Sequence, residues 1–317
     1  MASLTTEVIA LPDSIARVLR CPRCAQPFVA GDPLRCVEGH AFEVRNGLPR
    51  LVVETRADEK VKDLTLATRQ AFGDQWVRSG DQARVTLADL YLHLPTGTDK
   101  SIFSGLVLDA GCGMGRYTTL AATLGATAVG IDLSHAVDKA AATWPNATFI
   151  QADISCAPFA PNSFDLVYSF GVLHHLPYPL AGFRACFDLV RPGGMLLAWV
   201  YSAHGGVLRS TRRRCRGVVA RVPSLHEPLA WAAALALWGL IVVPGRVAGR
   251  RGGRLGFYRD KGLRQVYVDC HDALIAPKES YLSAEDCEKW IASVPTQSGG
   301  FEQRRDGSGW LIWVRKS

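Results

Sequence analysis

The feature that most constrains this chain is a glycine-rich turn that directly follows a short apolar run. Residues 106–115 read Leu-Val-Leu-Asp-Ala-Gly-Cys-Gly-Met-Gly. An apolar run of this length predicts a buried parallel strand, and glycines at alternate positions let the backbone turn tightly and approach a ligand before a helix begins. The segment therefore predicts the cradle of a nucleotide-like cofactor.

The spacing of the glycines narrows the choice of cofactor. Dinucleotide sites use G-x-G-x-x-G, whereas this loop reads Asp-x-Gly-x-Gly-x-Gly, which favours a ligand without a pyrophosphate. The next predicted strand, 128–131, ends at Asp132, whose carboxylate can accept hydrogen bonds from both hydroxyls of a ribose. A third strand, 148–150, leads to Asp153, and two more strands are predicted at 164–168 and 193–200.

Strands that alternate with helix-length segments predict an open parallel sheet. In such sheets the ligand lies in a crevice at the carboxyl ends of the strands. The glycine loop, Asp132 and Asp153 all follow strands directly. We therefore expect them to meet at one edge of the sheet.

These motifs resemble those of the class I S-adenosylmethionine-dependent methyltransferases. The glycine loop, a ribose-binding acid at Asp132 and an adenine-contacting acid at Asp153 match in order, followed by the stretches 171–176 and 189–194. The resemblance covers roughly residues 70–203, with a weaker tail at 266–317, and implies a Rossmann-like α/β fold with seven strands and S-adenosylmethionine as cofactor. The cofactor-binding residues predicted on this basis are Asp109, Gly111, Gly113, Gly115, Asp132, Leu133, Asp153, Ile154 and Ser169.

Two histidines follow the fourth predicted strand. Methyl transfer from a sulfonium is an in-line displacement, which requires alignment of the acceptor and can require a base for its proton. His174 and His175 are the candidate catalytic residues because histidine can act as a base near neutral pH. The alternative is that both are structural. Further candidates for the pocket are Tyr178, Tyr201, His271, Asp272 and Tyr281.

Four potential metal ligands cluster near the amino terminus. Cys21, Cys24, Cys36 and His40 have the spacing C-x2-C-x11-C-x3-H, which predicts a tetrahedral, structural zinc site. A redox pair or incidental thiols are the alternative. The nine cysteines are an odd number and are scattered, which argues against a disulfide framework.

The segment around these cysteines is similar to a small zinc module that precedes some class I methyltransferases. It resembles the module of the bacterial ribosomal-RNA guanine methyltransferases and that of less characterised enzymes of cell-surface and natural-product pathways. This likeness implies a role on the substrate side and keeps RNA open as a partner. The aromatic helix at 72–76 resembles the second group, in which it would lie over the cofactor pocket.

Residues 204–265 form an unusual insertion. They hold 13 arginines and lysines against two acids, a net charge of +11 in a chain whose total is +7. Their centre, 229–244, is almost wholly apolar, but 16 helical residues span only about 24 Å, which is short of a bilayer core of about 30 Å. Three interpretations stay open: a helical lid over the substrate pocket, an interfacial membrane helix, or basic flanks that bind nucleic-acid phosphates.

We therefore expect five segments. They are a zinc-ribbon-like module at 1–53, a linker at 54–69, the cofactor-binding core at 70–203, the helical lid insertion at 204–265, and a completion of the core at 266–317 that begins its helix with a capping box at 283–286. The expected function is methyl transfer to the oxygen or nitrogen of a small biosynthetic acceptor. An RNA base methyltransferase, a membrane-associated lipid or quinone methyltransferase and an idle cofactor-binding protein are the alternatives. Because no basic start opens the chain, the cytoplasm is the expected location, with membrane contact through 229–244 left open. The sequence does not predict an oligomeric state.

Overall fold

The computed structural model describes residues 11–30, 34–53, 58–79, 85–203, 225–247, 262–304 and 309–317. Both basic flanks of the predicted insertion, 204–224 and 248–261, lie outside the described residues. The strands are β1 (Glu43–Arg45), β2 (Leu48–Leu51), β3 (Leu106–Ala110), β4 (Thr127–Asp132), β5 (Thr148–Ala152), β6 (Phe164–Phe170), β7 (Val190–Tyr201), β8 (Thr296–Gln303) and β9 (Gly309–Lys316).

The helices are distributed along the whole chain. They are α1 (Asp13–Val18), α2 (Glu59–Ser79), α3 (Leu87–Tyr91), α4 (Arg116–Thr123), α5 (Ala136–Thr143), α6 (Pro179–Leu189), α7 (His226–Leu237), α8 (Val243–Val247), α9 (Leu263–Ile275) and α10 (Ala284–Ala292). A π-helical turn, Trp238–Val242, joins α7 to α8 without a break.

The described strands form one sheet in the order β1-β2-β5-β4-β3-β6-β7-β9-β8. The neighbours from β2 to β7 run parallel, whereas β1, β9 and β8 add antiparallel pairs at the two ends. Strands β3 to β9 are the predicted seven-stranded α/β sheet. From β3 the chain first builds outward through β4 and β5, and it then returns to add β6 on the other side of β3. That reversal of strand order is where open α/β sheets bind ligands.

The apolar side chains of the strands alternate between the two faces of the sheet, and each face has its own hydrophobic core. Leu108, Val129 and Val167 belong to the cluster that α6 and α10 cover. Their neighbours in sequence, Val107 and Leu166, belong to the second cluster, which lies under α3 and α4. Because successive side chains of a strand point to opposite faces, a continuous apolar run serves both cores at once.

The amino-terminal module is joined to this sheet. Asn46 and Gly47 both have positive φ angles, of 55° and 70°, as a tight two-residue hairpin turn between β1 and β2 requires. β2 then pairs in parallel with β5. The predicted boundary at residue 53 therefore does not separate two sheets, because the last strand of the module extends the central sheet.

The described part of the predicted linker at 54–69 is helical. Residues 59–69 are the first half of α2, which runs on through the predicted aromatic segment to Ser79. The stretch has few apolar residues, a composition that is typical of a linker. It holds neither proline nor glycine between 58 and 72, however, and its lysines, leucines and alanines favour a helix.

The described part of the predicted insertion is helical, and the helix extends beyond the apolar stretch 229–244. Its continuous helical run, 226–247, contains the only described helix that is long and apolar enough to cross a membrane by length and composition, His226–Gly245. The estimate of 16 residues was therefore too short. The run packs on α9 through Ala230 and Ala234, while six of its large apolar side chains are exposed.

The carboxyl-terminal part confirms the predicted capping box and strands. The Ser283 hydroxyl accepts a hydrogen bond from the Asp286 N–H, and the Asp286 carboxylate accepts one in return from the Ser283 N–H. α10 then packs Trp290 onto the ring of Phe183 in α6. β8 and β9 close the sheet beside β7.

Arg50 provides a test of how firmly the amino-terminal hairpin is attached. Its guanidinium on β2 makes an ion pair with Asp138 of α5 and donates to Gln151 of β5, and its side chain is 8% exposed. Arg50→Ala should lower the free energy of unfolding by about 2 kcal/mol in denaturant titrations, because the partly exposed Asp138 carboxylate and the buried Gln151 amide lose their donor. The matched control is Arg45→Ala, which removes the exposed pair with Glu43 and should change nothing measurable. Equal effects of the two variants would contradict this account.

Candidate functional site

The glycine loop after β3 lies in close contact with neighbouring strands. Gly111 and Gly115 have φ angles of 90° and 72°, which favour glycine, and Gly115 directly precedes α4. A Cβ added to Gly111 would lie 2.6 Å from the Val172 side chain, and one added to Gly115 would lie 2.4 Å from the Phe149 ring. Larger residues would therefore push the loop away from the sheet edge.

Two of the predicted cofactor-binding residues lie beneath this loop. Asp109 is buried and its carboxylate accepts a 2.7 Å hydrogen bond from Thr118, in the first turn of α4. Burial raises the pKa of the Asp109 carboxyl to about 7. Ser169 is fully buried and donates to the Ala110 carbonyl at 2.7 Å. Both side chains therefore support the loop from inside the sheet.

The two predicted acids at the ends of β4 and β5 lie at the same edge of the sheet. Asp132 accepts hydrogen bonds from the N–H of Gly113 at 2.9 Å and from that of Ser134 at 2.8 Å. Asp153 accepts from the Ser155 N–H at 2.7 Å and begins the short helix that contains Ile154. Leu133 lies next to Asp132, and its carbonyl accepts a hydrogen bond from the Gln151 side chain. The structure thus brings the loop and both acids together.

Helix α2 lies over the end of β4. A Cβ on Gly73 would come within 2.6 Å of the His135 ring, so the helix backbone contacts the turn after Asp132 closely. The Lys139 ammonium of α5 donates to the Val77 carbonyl at 3.1 Å. The predicted position of the 72–76 segment above the cofactor edge agrees with this contact.

The histidine pair follows β6 in a short 3-10 helix and is buried. His174 has no exposed surface, and its ring lies 3.9 Å from the ring of Tyr201, measured between centroids. His175 is 6% exposed, with the Phe72 ring of α2 at 4.8 Å. Its Nδ1 is 2.7 Å from the Lys278 carbonyl oxygen, so Nδ1 carries a proton and donates it to that carbonyl.

Segment 276–282 holds this pair from the other side. The Ser280 N–H donates to the His174 carbonyl at 2.8 Å. Tyr281 stacks on Tyr201 at 6.0 Å between centroids, and its hydroxyl donates to the Glu279 carboxylate. Of the further pocket candidates, Tyr201 therefore lies against His174 and Tyr281 lies against Tyr201, whereas Tyr178 is 62% exposed on the surface.

Helix α9 adds acidic groups near the start of α4. Burial, followed by the nearby Asp269 charge, raises the pKa of the Asp272 carboxyl to about 7. The positive charge of Arg116 opposes that rise. The Gln75 side chain of α2 donates to the Val268 carbonyl at 3.4 Å, which links the two covering helices. His271, on the same helix, contacts the Tyr267 ring at 5.6 Å.

The four predicted metal ligands form a compact cluster. The ligand atoms of Cys21, Cys24, Cys36 and His40 all lie within 4.8 Å of one another. Cys24 Sγ and Cys36 Sγ are 3.7 Å apart, and Nδ1 of His40 is 3.6 Å from Cys21 Sγ and 3.5 Å from Cys36 Sγ. A tetrahedral zinc with bonds of about 2.3 Å to sulfur places two sulfurs about 3.8 Å apart. The donor set and its distances fit zinc.

Several residues at this edge were not predicted. One is Gln75, which lies in the helix predicted to cover the pocket. The others are Lys278 and Glu279, in a stretch for which the sequence predicts no role. Lys278 binds His175 through its backbone carbonyl, which no side-chain pattern signals. Arg50 could have been found, since a lone arginine in an apolar strand needs a buried acid as partner.

Comparison with known proteins also points to the methyltransferases that the sequence motifs resemble. Residues 108–198 match the family model described as a methyltransferase domain. Ubiquinone biosynthesis O-methyltransferases of Xanthomonas campestris and Albidiferax ferrireducens are 40% and 38% identical over 96 and 102 residues, which are 28% and 30% of this chain. The match covers 40% and 39% of those relatives, so the chain spans well under half of their length.

Solved structures with similar folds are also methyltransferases by name. One is 1,6-didemethyltoxoflavin-N1-methyltransferase of Burkholderia thailandensis, with 14% identity over 86% of this chain and 97% of that chain and a TM-score of 0.48. Another is an S-adenosylmethionine-dependent methyltransferase of Mesorhizobium loti, with 28% identity over 37% of this chain and 54% of that chain and a TM-score of 0.32.

The strand order, the glycine loop and the matched family model define the class. Residues 108–198 are a class I S-adenosylmethionine-dependent methyltransferase domain. The sheet that contains them continues into the amino-terminal hairpin on one side and into β9 and β8 on the other.

Asp132 tests the cofactor edge. We propose that its carboxylate binds the ribose of S-adenosylmethionine, so that Asp132→Ala should weaken cofactor binding at least about tenfold in calorimetry, the equivalent of a charge-assisted hydrogen bond. Asp99→Ala is the matched control, because Asp99 also accepts a 2.8 Å hydrogen bond from the N–H two residues on. Unchanged affinity in Asp132→Ala would reject the assignment.

The cysteine cluster is tested by metal analysis. We propose that it holds a structural zinc, and freshly purified protein should then contain about one zinc per chain. Cys24→Ser should lose most of that metal, whereas Cys156→Ser, which alters a half-buried cysteine outside the cluster, should keep it. Zinc-free wild-type protein, or equal metal content in both variants, would exclude the site.

Proposed function

We propose that this chain is an S-adenosylmethionine-dependent methyltransferase that modifies a hydroxyl oxygen of a small-molecule acceptor. The observation that carries the proposal is the meeting, at one sheet edge, of the glycine loop, Asp132 and a buried histidine pair. The curated relatives, which are named as O-methyltransferases of ubiquinone biosynthesis, favour oxygen over nitrogen. These relatives support O-methylation as the reaction class, and they do not specify the acceptor.

The residues present fit the cofactor. The loop from Gly111 to Gly115 would lie along its amino-acid portion, Asp132 and Leu133 would hold the ribose, and Asp153 and Ile154 would flank the base. Asp109 and Ser169 would act as positioning residues, because their polar atoms bind Thr118 and Ala110 beneath the loop. When bound, S-adenosylmethionine supplies an electrophilic methyl group on a sulfonium.

His175 is the better candidate for the base of the pair. Its Nδ1 donates to the Lys278 carbonyl, which leaves Nε2 as the ring nitrogen that accepts a proton. The His174 ring packs on Tyr201 at an interplanar angle of 34° and has no exposed surface, which suits a role in packing. We propose that His175 takes the hydroxyl proton of the acceptor as the oxygen attacks the methyl group.

The walls of the acceptor pocket in this proposal are aromatic. The rings of Phe72 and Tyr201 contact His175 and His174, and the ring of Tyr281 stacks on Tyr201. Stacked and edge-on rings of this kind bind planar apolar groups and exclude water from the reacting atoms. This lining favours an acceptor that carries its hydroxyl on a flat, apolar body.

The reaction class can be tested directly. The protein would be incubated with S-adenosylmethionine that carries a labelled methyl group, and with a panel of small phenols, hydroxy acids and amines and a separate RNA fraction. Label should enter a hydroxyl-bearing small molecule as a methyl ether, which mass spectrometry and NMR identify. Label found in RNA would instead support the RNA alternative, and label in no fraction would support the idle-protein alternative.

His175→Gln tests the proposed base with the acceptor identified in that screen. The variant should lower kcat about 100-fold, the usual contribution of a general base, while cofactor affinity changes less than about twofold. His226→Gln alters a histidine at the start of α7 that has no role in this proposal, and it should keep kcat. A kcat for His175→Gln within about threefold of wild type would remove the residue from the mechanism.

A further inference from the structure

The strongest unexplained feature outside the methyltransferase site is the helical run 226–247, here called the outer helix. From Leu229 to Gly245 it contains no charged side chain. It nevertheless lies on the surface of the described structure, and only 22% of its most apolar window is buried. An apolar helix in the core of a protein is mostly buried, so the outer helix is not one.

The outer helix has two unlike faces. Small residues, Ala230 and Ala234, are fully buried against Val266 and Tyr267 of α9. Leu237 and Trp238 pack beside them, whereas six other large apolar residues are exposed, with Leu240 at 78% and Leu235 at 55%. The other exposed large side chains of this helix are Leu229, Trp231, Ile241 and Val243.

This arrangement reverses the usual pattern of a surface helix. Large apolar side chains normally face the protein and small or polar ones face water, because burial of apolar area stabilises the fold. Exposed apolar surface on this scale, with six large side chains on one helix, is of the kind that marks a binding surface. Within the described residues, no other helix exposes as many.

The charge of the adjoining sequence points to the nature of the occupant. The segment 204–265, which contains the outer helix, has a net charge of +11, while the rest of the chain has −4. Arginines therefore flank the apolar run on both sides along the chain. Anionic lipid headgroups attract such basic segments, and the hydrocarbon beneath them accepts leucine and tryptophan side chains.

We propose that the outer helix docks this protein on an anionic lipid bilayer, lying in the plane of the interface with Leu235 and Leu240 inserted. The packing of one face on α9 favours this orientation over a spanning one. A spanning helix presents every face to lipid or to other helices, whereas the alanine face of this helix is already covered by the protein's own domain.

Docking would also bring the membrane surface close to the methyltransferase site. This step rests on the proposed function. The outer helix packs on α9, and α9 is linked through Val268 to Gln75 of α2, the helix whose Phe72 contacts His175. The membrane surface is therefore two helices away from the proposed pocket. The acceptor class that follows is an apolar, hydroxyl-bearing molecule that partitions into the bilayer.

Vesicle sedimentation tests the proposal without any need for the acceptor. Wild-type protein should sediment with phosphatidylglycerol vesicles and much less with phosphatidylcholine vesicles, and binding should weaken between about 0.1 M and about 0.5 M salt. Leu240→Glu should reduce binding to phosphatidylglycerol vesicles at least about tenfold, because it replaces an inserted leucine by a charge. Emission of Trp231 and Trp238 should shift to the blue on binding in the wild type.

Leu66→Glu is the matched control. Leu66 is an exposed leucine on α2, at 50% exposure, and the substitution adds the same charge to a surface away from the outer helix. Its vesicle binding should stay within about twofold of wild type. Calorimetric binding of S-adenosylmethionine, measured without lipid, reports whether each variant is folded and separates a failure of docking from a failure of the proposed function.

Four outcomes would overturn the proposal. Wild-type protein that ignores anionic vesicles would mean that the flanking chain or another partner covers the apolar face. A dimer that becomes monomeric in Leu240→Glu would assign the face to a second copy. Protein that resists extraction by alkaline carbonate would indicate a spanning helix. Salt-sensitive binding to RNA with no binding to vesicles would assign the basic flanks to nucleic acid.

Discussion

The hydrogen bond between the Gly113 N–H and the Asp132 carboxylate is the contact on which the site depends. It joins the loop after β3 to the end of β4 at 2.9 Å, across the two strands from which the sheet is built outward. The loop can approach this closely only because Gly111 and Gly115 lack side chains that would meet Val172 and Phe149. One short sequence thereby sets the position of the crevice, of α4, and of every strand end that faces it.

The opposite wall of the crevice depends on backbone contacts with distant parts of the chain. The carbonyl of Lys278 fixes the ring of His175, and the Ser280 N–H holds the carbonyl of His174, across more than 100 residues of sequence. Because a carbonyl oxygen can only accept, it fixes the proton on Nδ1 of His175 and leaves Nε2 as the ring nitrogen that can accept a proton. The pair is therefore held firmly in orientation while one nitrogen stays suited to proton transfer.

The features that could be predicted from the sequence are those that depend on local motifs, and the features that could not are those that depend on long-range contacts. The alternating glycines, the acids at strand ends, the cysteine spacing and the capping box at Ser283 each act within a few residues, and the structure brings each set together. The parallel pairing of β2 with β5 and the outward orientation of the large side chains on the outer helix depend on partners far along the chain. The first half of α2 is mostly polar and lacks the continuous apolar stripe by which a sequence usually indicates a surface helix, so its pattern predicts a linker.

The outer helix also shows how a fold can tolerate a large apolar surface. Ala230 and Ala234 give a close but small contact with α9, and stacking of Trp231 on Tyr267 at 4.3 Å adds one aromatic pair. This contact is enough to orient the helix but buries few of its large side chains. Because exposed leucines are costly in water, selection for stability alone would replace them by polar residues. The proposed docking on lipid accounts for their presence on a helix whose neighbouring sequence is strongly basic, with the small-residue face as the attachment of this helix to α9.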